Sequence, residues 1–173
     1  MKNTIDIRKA TVNDVVQLQQ ISRQTFVEAY SALNTVENLN KYLEEDFSVE
    51  KLTGELHNGE SEFYFALQGQ QVIAYLKLNK GLSQTELRDE EALEIERIYV
   101  LQEYQGMKIG QLLYEKALQV SKDSKASYLW LGVWEENTNA IGFYKKNGFV
   151  PFDQHIFKFG DDEQTDIMMK KTI

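Results

Sequence analysis

Apolar and polar positions recur with two different periods along the chain, and each period predicts its own kind of element. Residues 5–10 (IDIRKA) alternate as a strand does, whereas the apolar positions after Thr11 recur every three or four residues as far as Tyr30. Thr11, with Asp14 three residues later, predicts the N-terminus of this first helix. The side chains expected to form its buried stripe are Val12, Val15, Val16, Leu18, Ile21 and Phe26.

Further helical and strand patterns follow without an internal repeat or a proline-rich linker. In order, they predict a helix over 35–45, a helix over 48–57 capped by Ser48, a β-hairpin of strands 62–68 and 71–79 around Gly69, and a charged loop over 80–93.

The second half predicts a strand–helix–strand–helix unit and a closing hairpin. Residues 128–134 (YLWLGVW) are a continuous apolar run, which is typical of a central strand covered on both faces. The other predicted elements are a strand over 92–100, a helix over 107–121 with Ile109, Leu112, Leu113, Ala117 and Val120 on its apolar face, a helix over 137–148 that ends at Gly148, and strands 151–159 and 165–172. The pattern therefore predicts one domain over residues 1–173, of the α/β (α+β) class, with a mixed, mostly antiparallel sheet flanked by helices.

Composition and charge exclude several classes of site and of partner. The 173 residues include no cysteine, which excludes disulfides, thiolate metal sites and a thiol nucleophile. A net charge of −8 argues against binding of a nucleic-acid backbone and is compatible with a cationic substrate. No run approaches the roughly 18–20 apolar residues of a membrane span, and no signal-peptide pattern is present, so we expect a cytoplasmic protein without membrane contact.

The strand over 92–100 carries two glutamates. Strict alternation predicts that Glu94 and Glu96 share a face with Ile98 and Val100. Neighbouring carboxylates in partly desolvated surroundings could supply a general base near neutral pH. Alternatively, both lie at a solvated strand end or pair with lysines, which the pattern by itself favours. The opposite face is predicted to carry Leu93, Ile95, Arg97 and Tyr99.

The turn after this strand has two glycines, Gly106 and Gly110, around Met107, Lys108 and Ile109. Its spacing fits neither a Walker A loop nor a GxGxxG fingerprint. Successive backbone N–H groups at a helix start can still hold a diphosphate, with the lysine as an added cation. An ordinary strand-to-helix turn would have the same sequence.

A third candidate region is WEENTNAIGFYKKNGF (134–149). Asn137 lies at a strand end, where its side chain could hydrogen-bond an amide-bearing ligand. Tyr144 lies two helical turns further on and could donate a proton to a leaving group. The pair Phe143 and Tyr144 could equally be core aromatics.

In this order, these residues resemble the GCN5-related N-acetyltransferase (GNAT) superfamily. The superfamily's acetyl-CoA signature, [QR]-x-x-G-x-[GA], is similar to residues 105–110 (QGMKIG), except that Lys108 stands where the first glycine is expected. A lysine there leaves the backbone N–H groups usable if its dihedral angles are helical. The second signature, N-x-x-A-x-x-(F/Y)-Y-x-x-x-G-F, is present as Asn137, Ala140, Phe143, Tyr144, Gly148 and Phe149.

The resemblance implies acetyl-CoA as co-substrate, no metal, and specific roles for these positions. Glu96 would be the base, directly or through water, and Tyr144 would protonate the departing CoA thiolate. Without a cysteine, direct attack in a ternary complex is the simpler mechanism. The implied cofactor-binding residues are Ile98, Tyr99 and Val100, whose main chain would pair with pantetheine; Gln105, Gly106, Met107, Lys108, Ile109 and Gly110 at the pyrophosphate; and Asn137 with Phe143 beside pantetheine.

Three segments, LEIERIYV, WLGVWEENTNAIGFYKKNGFV and DDEQTDIMMKKT, look like the bacterial spermidine/spermine N-acetyltransferases of the PaiA type. This similarity implies a polyamine acceptor, and the acidic segments 85–96 and 42–46 could line its site. The alternatives are a peptide, amino-acid or aminoglycoside amine, or a CoA-binding regulatory module without turnover. His57 and His155 are given no catalytic role, and a homodimer is left open.

Overall fold

The computed structural model describes residues 4–173 apart from the side chains of Phe157 and Phe159, and this part of the chain forms seven strands and five α-helices. The strands are β1 (Ile5–Lys9), β2 (Ser61–Gln68), β3 (Gln71–Asn79), β4 (Ala92–Val100), β5 (Tyr128–Trp134), β6 (Val150–Phe159) and β7 (Asp162–Thr172). The helices are α1 (Val15–Tyr30), α2 (Val36–Asp46), α3 (Val49–His57), α4 (Ile109–Asp123) and α5 (Thr138–Lys146). None of these helices is long and apolar enough to cross a bilayer.

All seven strands belong to one sheet in the order β1-β2-β3-β4-β5-β7-β6. Neighbouring strands are antiparallel except β4 and β5, which run parallel. The predicted fold class, a mixed and mostly antiparallel sheet with flanking helices, is therefore confirmed. The parallel pairing covers only Ala92–Ile95 against Tyr128–Leu131, and the two strands part beyond those residues.

Helices cover both faces of the sheet. On one face, Tyr99 meets Tyr30 of α1 and the Arg97 guanidinium lies over the Phe47 ring, next to α2. On the other face, Lys116 of α4 lies over the ring of Tyr64 on β2. A continuous apolar core fills the space between these layers.

Local sequence signals determine where the helices begin. Ser48 caps α3 as predicted, since its Oγ accepts a hydrogen bond from the backbone N–H of Lys51 at 3.1 Å. Before α1, a 3-10 turn occupies residues 12–14, and the Thr11 N–H donates to the Asp14 carboxylate at 2.8 Å. The predicted capping pair therefore holds this turn, and the α-helix itself starts at Val15.

Three details of the predicted helices are wrong. Val16 is 57% exposed, because it lies about 200° around α1 from the fully buried Leu18. Leu112 is also exposed, while the neighbouring Tyr114 is buried, so the buried face of α4 is rotated relative to the predicted one. Finally, α4 begins at Ile109 instead of residue 107, because Lys108 has a left-handed backbone.

Candidate active site

A groove of about 630 Å³ opens where β4 and β5 part. Of the predicted site residues, it brings together Glu96, Ile98, Tyr99, Gln105, Asn137 and Tyr144. The others lie outside its lining: Val100 ends β4, Gly106, Met107, Lys108, Ile109 and Gly110 form the turn that follows, and Phe143 packs edge-on against Tyr144 and Tyr114.

A β-bulge changes which residues of β4 share a face. In the register of β3 and β4, Asn79 pairs with Glu94 and Leu78 pairs with Ile95. The next residue of β3, Lys77, pairs with Arg97, so Glu96 is an extra residue of β4 without a paired residue on β3. The strictly alternating assignment of β4 is therefore wrong after Ile95. Glu94, Arg97 and Tyr99 share the face that α1, α2 and α3 cover, whereas Ile95 and Ile98 lie on the other face.

Glu96 is held by cations and by an amide. Its Oε2 lies 2.5 Å from Lys77 Nζ and accepts a hydrogen bond from Asn79 Nδ2 at 2.9 Å, and its Oε1 lies 3.8 Å from Arg97 Nη2. Burial would raise the pKa of Glu96, but Arg97, Lys77 and the hydrogen bonds outweigh burial and lower the pKa to about 2. Of the alternatives raised by the sequence, the structure shows that Glu96 pairs with a lysine, Lys77, and its carboxylate stays ionised at neutral pH.

Glu94 has a different environment. Its side chain is almost fully buried and accepts hydrogen bonds from the Thr85 N–H, the Thr85 hydroxyl and Asn79 Nδ2. Burial raises the pKa of Glu94 in spite of these donors. Since every one of these bonds joins Glu94 to the loop after β3 or to β3 itself, its observed contacts tie this loop to the sheet.

Tyr144 combines a packed ring with a hydroxyl at the groove. The ring lies 5.3 Å from Phe143 and 5.5 Å from Phe149, between ring centroids. The hydroxyl lines the groove, and no residue in the described part of the chain hydrogen-bonds to it. Burial raises the pKa of Tyr144, so the phenol is protonated at neutral pH and its O–H is available as a hydrogen-bond donor at the groove. Both predicted interpretations of this residue therefore describe part of its environment.

Asn137 is the N-cap of α5. Its Oδ1 accepts a hydrogen bond from the Ala140 N–H at 3.2 Å, which explains why an asparagine precedes this helix. Its amide nitrogen donates to no acceptor within residues 4–173 and belongs to a side chain that lines the groove. The capping bond fixes the side chain while leaving the donor for a ligand.

The turn between β4 and α4 presents unpaired backbone donors. Among the residues described, none accepts a hydrogen bond from the N–H groups of residues 106–111. Gly106 has φ 81° and Lys108 has φ 62° and ψ 20°, both left-handed. The expected helical dihedral angles at Lys108 are therefore wrong: the lysine adopts a left-handed conformation, which a glycine takes without strain. Consecutive free N–H groups at the start of a helix form an anion site that fits a pyrophosphate.

The side chains of three predicted cofactor-binding residues near the turn are engaged with the rest of the protein, so their main-chain groups are the ones available to a ligand. The Gln105 side chain donates to the Val100 carbonyl at 3.2 Å and so closes the turn. Ile109 is buried in the core, so only its main chain can face a ligand. The Tyr99 side chain points under α1, where its hydroxyl lies 3.4 Å from the Tyr30 hydroxyl. Only the main chain of Tyr99 is therefore available where β4 and β5 part. These contacts suit a ligand that is bound through backbone groups.

Several polar residues in and around the site were not among the predicted site residues. Lys77 and Asn79 interrupt the apolar pattern of β3 at alternate positions, and that interruption was the available signal. Across the groove, His155 Nδ1 lies 3.1 Å from Glu86 Oε1. Asp166 lines the same wall, and burial raises the pKa of its carboxyl although the nearby His155 acts in the opposite direction. No group of three or more His, Asp or Glu side chains among the described residues is arranged to hold a metal ion.

Comparison with known proteins places this site in a wider context. The sequence pattern of the acetyltransferase (GNAT) family matches residues 17–149. An uncharacterized N-acetyltransferase of Lactobacillus delbrueckii subsp. lactis is 38% identical over 169 residues, which are 98% of each chain. The spermidine N(1)-acetyltransferase of Thermoplasma acidophilum is 27% identical over 172 residues and 97% of each chain. The crystal structure of the PaiA N-acetyltransferase from Thermoplasma acidophilum in complex with coenzyme A superimposes with a TM-score of 0.80 at 26% identity, covering 98% of this chain and 99% of that one.

Proposed function

Because the chain belongs to the acetyltransferase (GNAT) family, we propose that it transfers the acetyl group of acetyl-CoA to a primary amine of a polyamine such as spermidine or spermine. Acetyl transfer to an amine is the activity of the family, and the polyamine acceptor is the new element. One observation carries the proposal: the groove that contains Glu96 and the Tyr144 hydroxyl is also lined by the carboxylates of Glu86, Glu136 and Asp166.

The donor would bind along the gap and the turn. The unpaired N–H groups of residues 106–111 suit the pyrophosphate, with Gln105 closing the turn. The free edge of β4 at Ile98, Tyr99 and Val100 suits the amides of pantetheine, which would pair with the main chain as another strand does. Asn137 would donate its amide hydrogen to the same arm, with Phe143 packed behind it.

In the reaction, the neutral amine nitrogen attacks the thioester carbonyl, and the C–S bond breaks as the amide forms. The Tyr144 phenol gives its proton to the departing thiolate, and the proton that the attacking nitrogen loses on forming the amide returns through water to the Tyr144 oxygen. Because the chain has no cysteine, an acyl-cysteine intermediate is excluded, and direct attack in a ternary complex remains the simplest sequence of steps.

The low pKa of Glu96 refines its role. An alkylammonium has a pKa of about 10.4, far above that of Glu96, which Arg97 and Lys77 lower to about 2, so direct proton transfer from the ammonium to this carboxylate is strongly unfavourable. Glu96 is therefore better suited to hold the ammonium and a water that carries its proton to solvent. In this form of the proposal, the carboxylate remains ionised throughout and acts through water.

Charge supports an acceptor with several ammonium groups, such as a polyamine, over an acceptor with a single amine. A polyamine carries further ammonium groups after the reacting one, and Glu86, Glu136 and Asp166 offer anions along the same groove. The relative in Thermoplasma acidophilum is named for spermidine, at 27% identity over nearly the whole chain. We further propose that residues 1–173 act as one domain in the cytoplasm, without a metal.

The test is release of CoA thiol from acetyl-CoA with spermidine, spermine, an aminoglycoside and a peptide with a free N-terminus as parallel acceptors. We expect release with the two polyamines, and a loss of roughly 10²–10⁴-fold in turnover for Glu96→Gln with CoA affinity retained. Release only with another acceptor would refute the polyamine. CoA binding without release to any acceptor would favour a regulatory module.

A further inference from the structure

Lys77 is a buried lysine on the central strand β3. It is only 4% exposed, and its ammonium lies 3.1 Å from Glu55 Oε1 and 2.5 Å from Glu96 Oε2. The same ammonium lies 5.5 Å from the centre of the Phe63 ring. Lysines are rarely buried to this extent unless they are paired, and removing one partner of such a pair leaves an uncompensated charge. The position of Lys77 therefore depends on the two carboxylates.

The ion pair distinguishes the two oxygens of Glu96. Oε2 is occupied by Lys77 and by the Asn79 amide, both from β3. Oε1 accepts no hydrogen bond from the described residues, and its nearest cation is Arg97 at 3.8 Å. Since the Glu96 side chain is one-fifth exposed and lines the groove, Oε1 is the oxygen left for a ligand.

We propose that Lys77 is a positioning residue for acetyl transfer, which fixes Oε2 of Glu96 and keeps this carboxylate ionised so that Oε1 faces the ammonium of the acceptor. This inference rests on the proposed function of Glu96. It predicts that the charge of Lys77, and not only its packing, determines how activity depends on pH.

Other groups also act on Glu96 and are part of the test. Arg97 is the second cation next to the carboxylate and remains in place when Lys77 is changed. A second cavity of about 450 Å³ also reaches Glu96 and Arg97 from the side of α2. The charged and titratable groups that surround Glu96 lie on three sides. From the sheet and the helices above it they are Tyr75, Lys77, Glu94, Arg97, Tyr42 and Glu55, and around the second cavity they are Lys41, Glu45, Asp46, Lys51 and Lys158. Across the groove they are Glu86, Glu136, Tyr144, His155 and Asp166, which are the same in every variant compared.

A purely structural role for Lys77 makes a different prediction. Through Glu55, the same ammonium ties α3 to the sheet, and that tie alone would explain a buried lysine. Glu55→Gln is the matched control, because it weakens the tie to α3 but leaves the Lys77–Glu96 pair in place. Lys77→Gln removes both contacts, and Lys77→Arg keeps the positive charge.

The first measurement is the ratio of kcat/KM between variant and wild type from pH 5 to pH 8. Deprotonation of the acceptor amine affects all proteins alike and cancels in this ratio. For Lys77→Gln we expect the ratio to fall at least threefold towards pH 5, because Glu96 becomes protonated in that range without its ion pair. For Lys77→Arg and Glu55→Gln we expect a flat ratio. A flat ratio for Lys77→Gln, or a falling ratio for Lys77→Arg, would overturn the proposal.

The second measurement needs no acceptor, so it separates this inference from the proposed function. The glutamate carboxyl carbons are labelled with ¹³C and titrated by NMR, with the Glu96 signal assigned from its loss in Glu96→Gln. We expect the Glu96 signal to stay at its ionised position down to pH 4 in the wild type and to titrate above pH 4 in Lys77→Gln. Identical titrations would refute the role of Lys77 even in an active enzyme. If Lys77→Gln does not fold, the double variant Lys77→Gln/Glu55→Gln removes both charges of the tie and gives the same test.

Discussion

Two lysines with left-handed backbones bracket α4, and replacing each by glycine should stabilise the protein. Lys108 precedes the helix with φ 62°, and Lys125 follows it with φ 58°. At the second position, the Lys125 N–H donates to the Lys122 carbonyl and the Ala126 N–H donates to the Ser121 carbonyl. This pair of bonds closes the helix only if residue 125 is left-handed, a position usually occupied by glycine.

The magnitude follows from two opposing terms. The left-handed conformation costs a residue with a side chain about 1–2 kcal/mol relative to right-handed backbone, and glycine avoids this cost. Glycine loses about 0.5–1 kcal/mol more chain entropy on folding than alanine does. The expected net gain is therefore about 0.5–1 kcal/mol for Lys108→Gly and for Lys125→Gly. For a chain of this length, such a gain raises the melting temperature by about 1–4 °C.

The assay is thermal unfolding followed by calorimetry, with alanine variants as matched controls. Lys108→Ala and Lys125→Ala remove the same charges and keep the left-handed backbone, so they should not be stabilised. The 15 residues of α4 separate the two sites by about 22 Å, so the two gains should add in the double glycine variant. A melting temperature that is unchanged or lowered in both glycine variants, or raised equally by alanine, would refute the assignment of strain to these two backbones.

Three further predictions concern the site and the helix caps. Tyr144→Phe should slow release of CoA thiol yet leave the melting temperature within about 1–2 °C, because no described residue bonds the hydroxyl; a large drop in melting temperature would instead support a purely structural ring. The pKa of Glu96 is lower in the folded protein than in the unfolded chain, so the ionised form stabilises the fold above about pH 4.5, and this contribution is lost as the pH falls towards about 2. Urea unfolding from pH 5 to pH 3 should therefore show a steeper loss of stability for the wild type than for Glu96→Gln, and equal slopes would contradict this. Ser48→Ala should lower the free energy of unfolding by about 1 kcal/mol, because it removes the cap on the Lys51 N–H. Ser48→Asp can still cap this N–H and should lower it less; chemical denaturation of both variants measures the difference, and equal losses would contradict the role of the cap.

The sequence was most informative where one period persists over many residues. The strands on either side of Gly69 and the helix capped by Ser48 were predicted closely, because alternation, a turn glycine and an N-cap are local signals. The side of the sheet on which the residues after Ile95 lie was not predictable from such local signals. Whether β4 contains an extra residue is decided by its pairing with β3, and a single bulge reverses every later assignment of faces.

Partners distant in sequence were also beyond local reasoning. Lys77 lies 19 residues before Glu96, and nothing in either segment alone indicates that the two charges meet. The unusual residue at position 108 was visible in the sequence as a departure from the GNAT pattern. Its left-handed backbone was not, since closure of the whole turn determines it. The roles of the predicted site residues remain predictions for the experiments above.

The early parting of β4 and β5 bears on how this protein can change over evolutionary time. A backbone edge offers the same N–H and C=O groups whichever side chains the strand carries. If pantetheine pairs with this edge as proposed, drift in the sequence of the edge would leave its recognition largely intact. The proposed acceptor would instead be contacted by side chains in the walls of the groove, such as Glu86 and Asp166, and each of these can be exchanged by one mutation. A lineage built on this fold can thus inherit its donor and acquire new acceptors, one residue at a time.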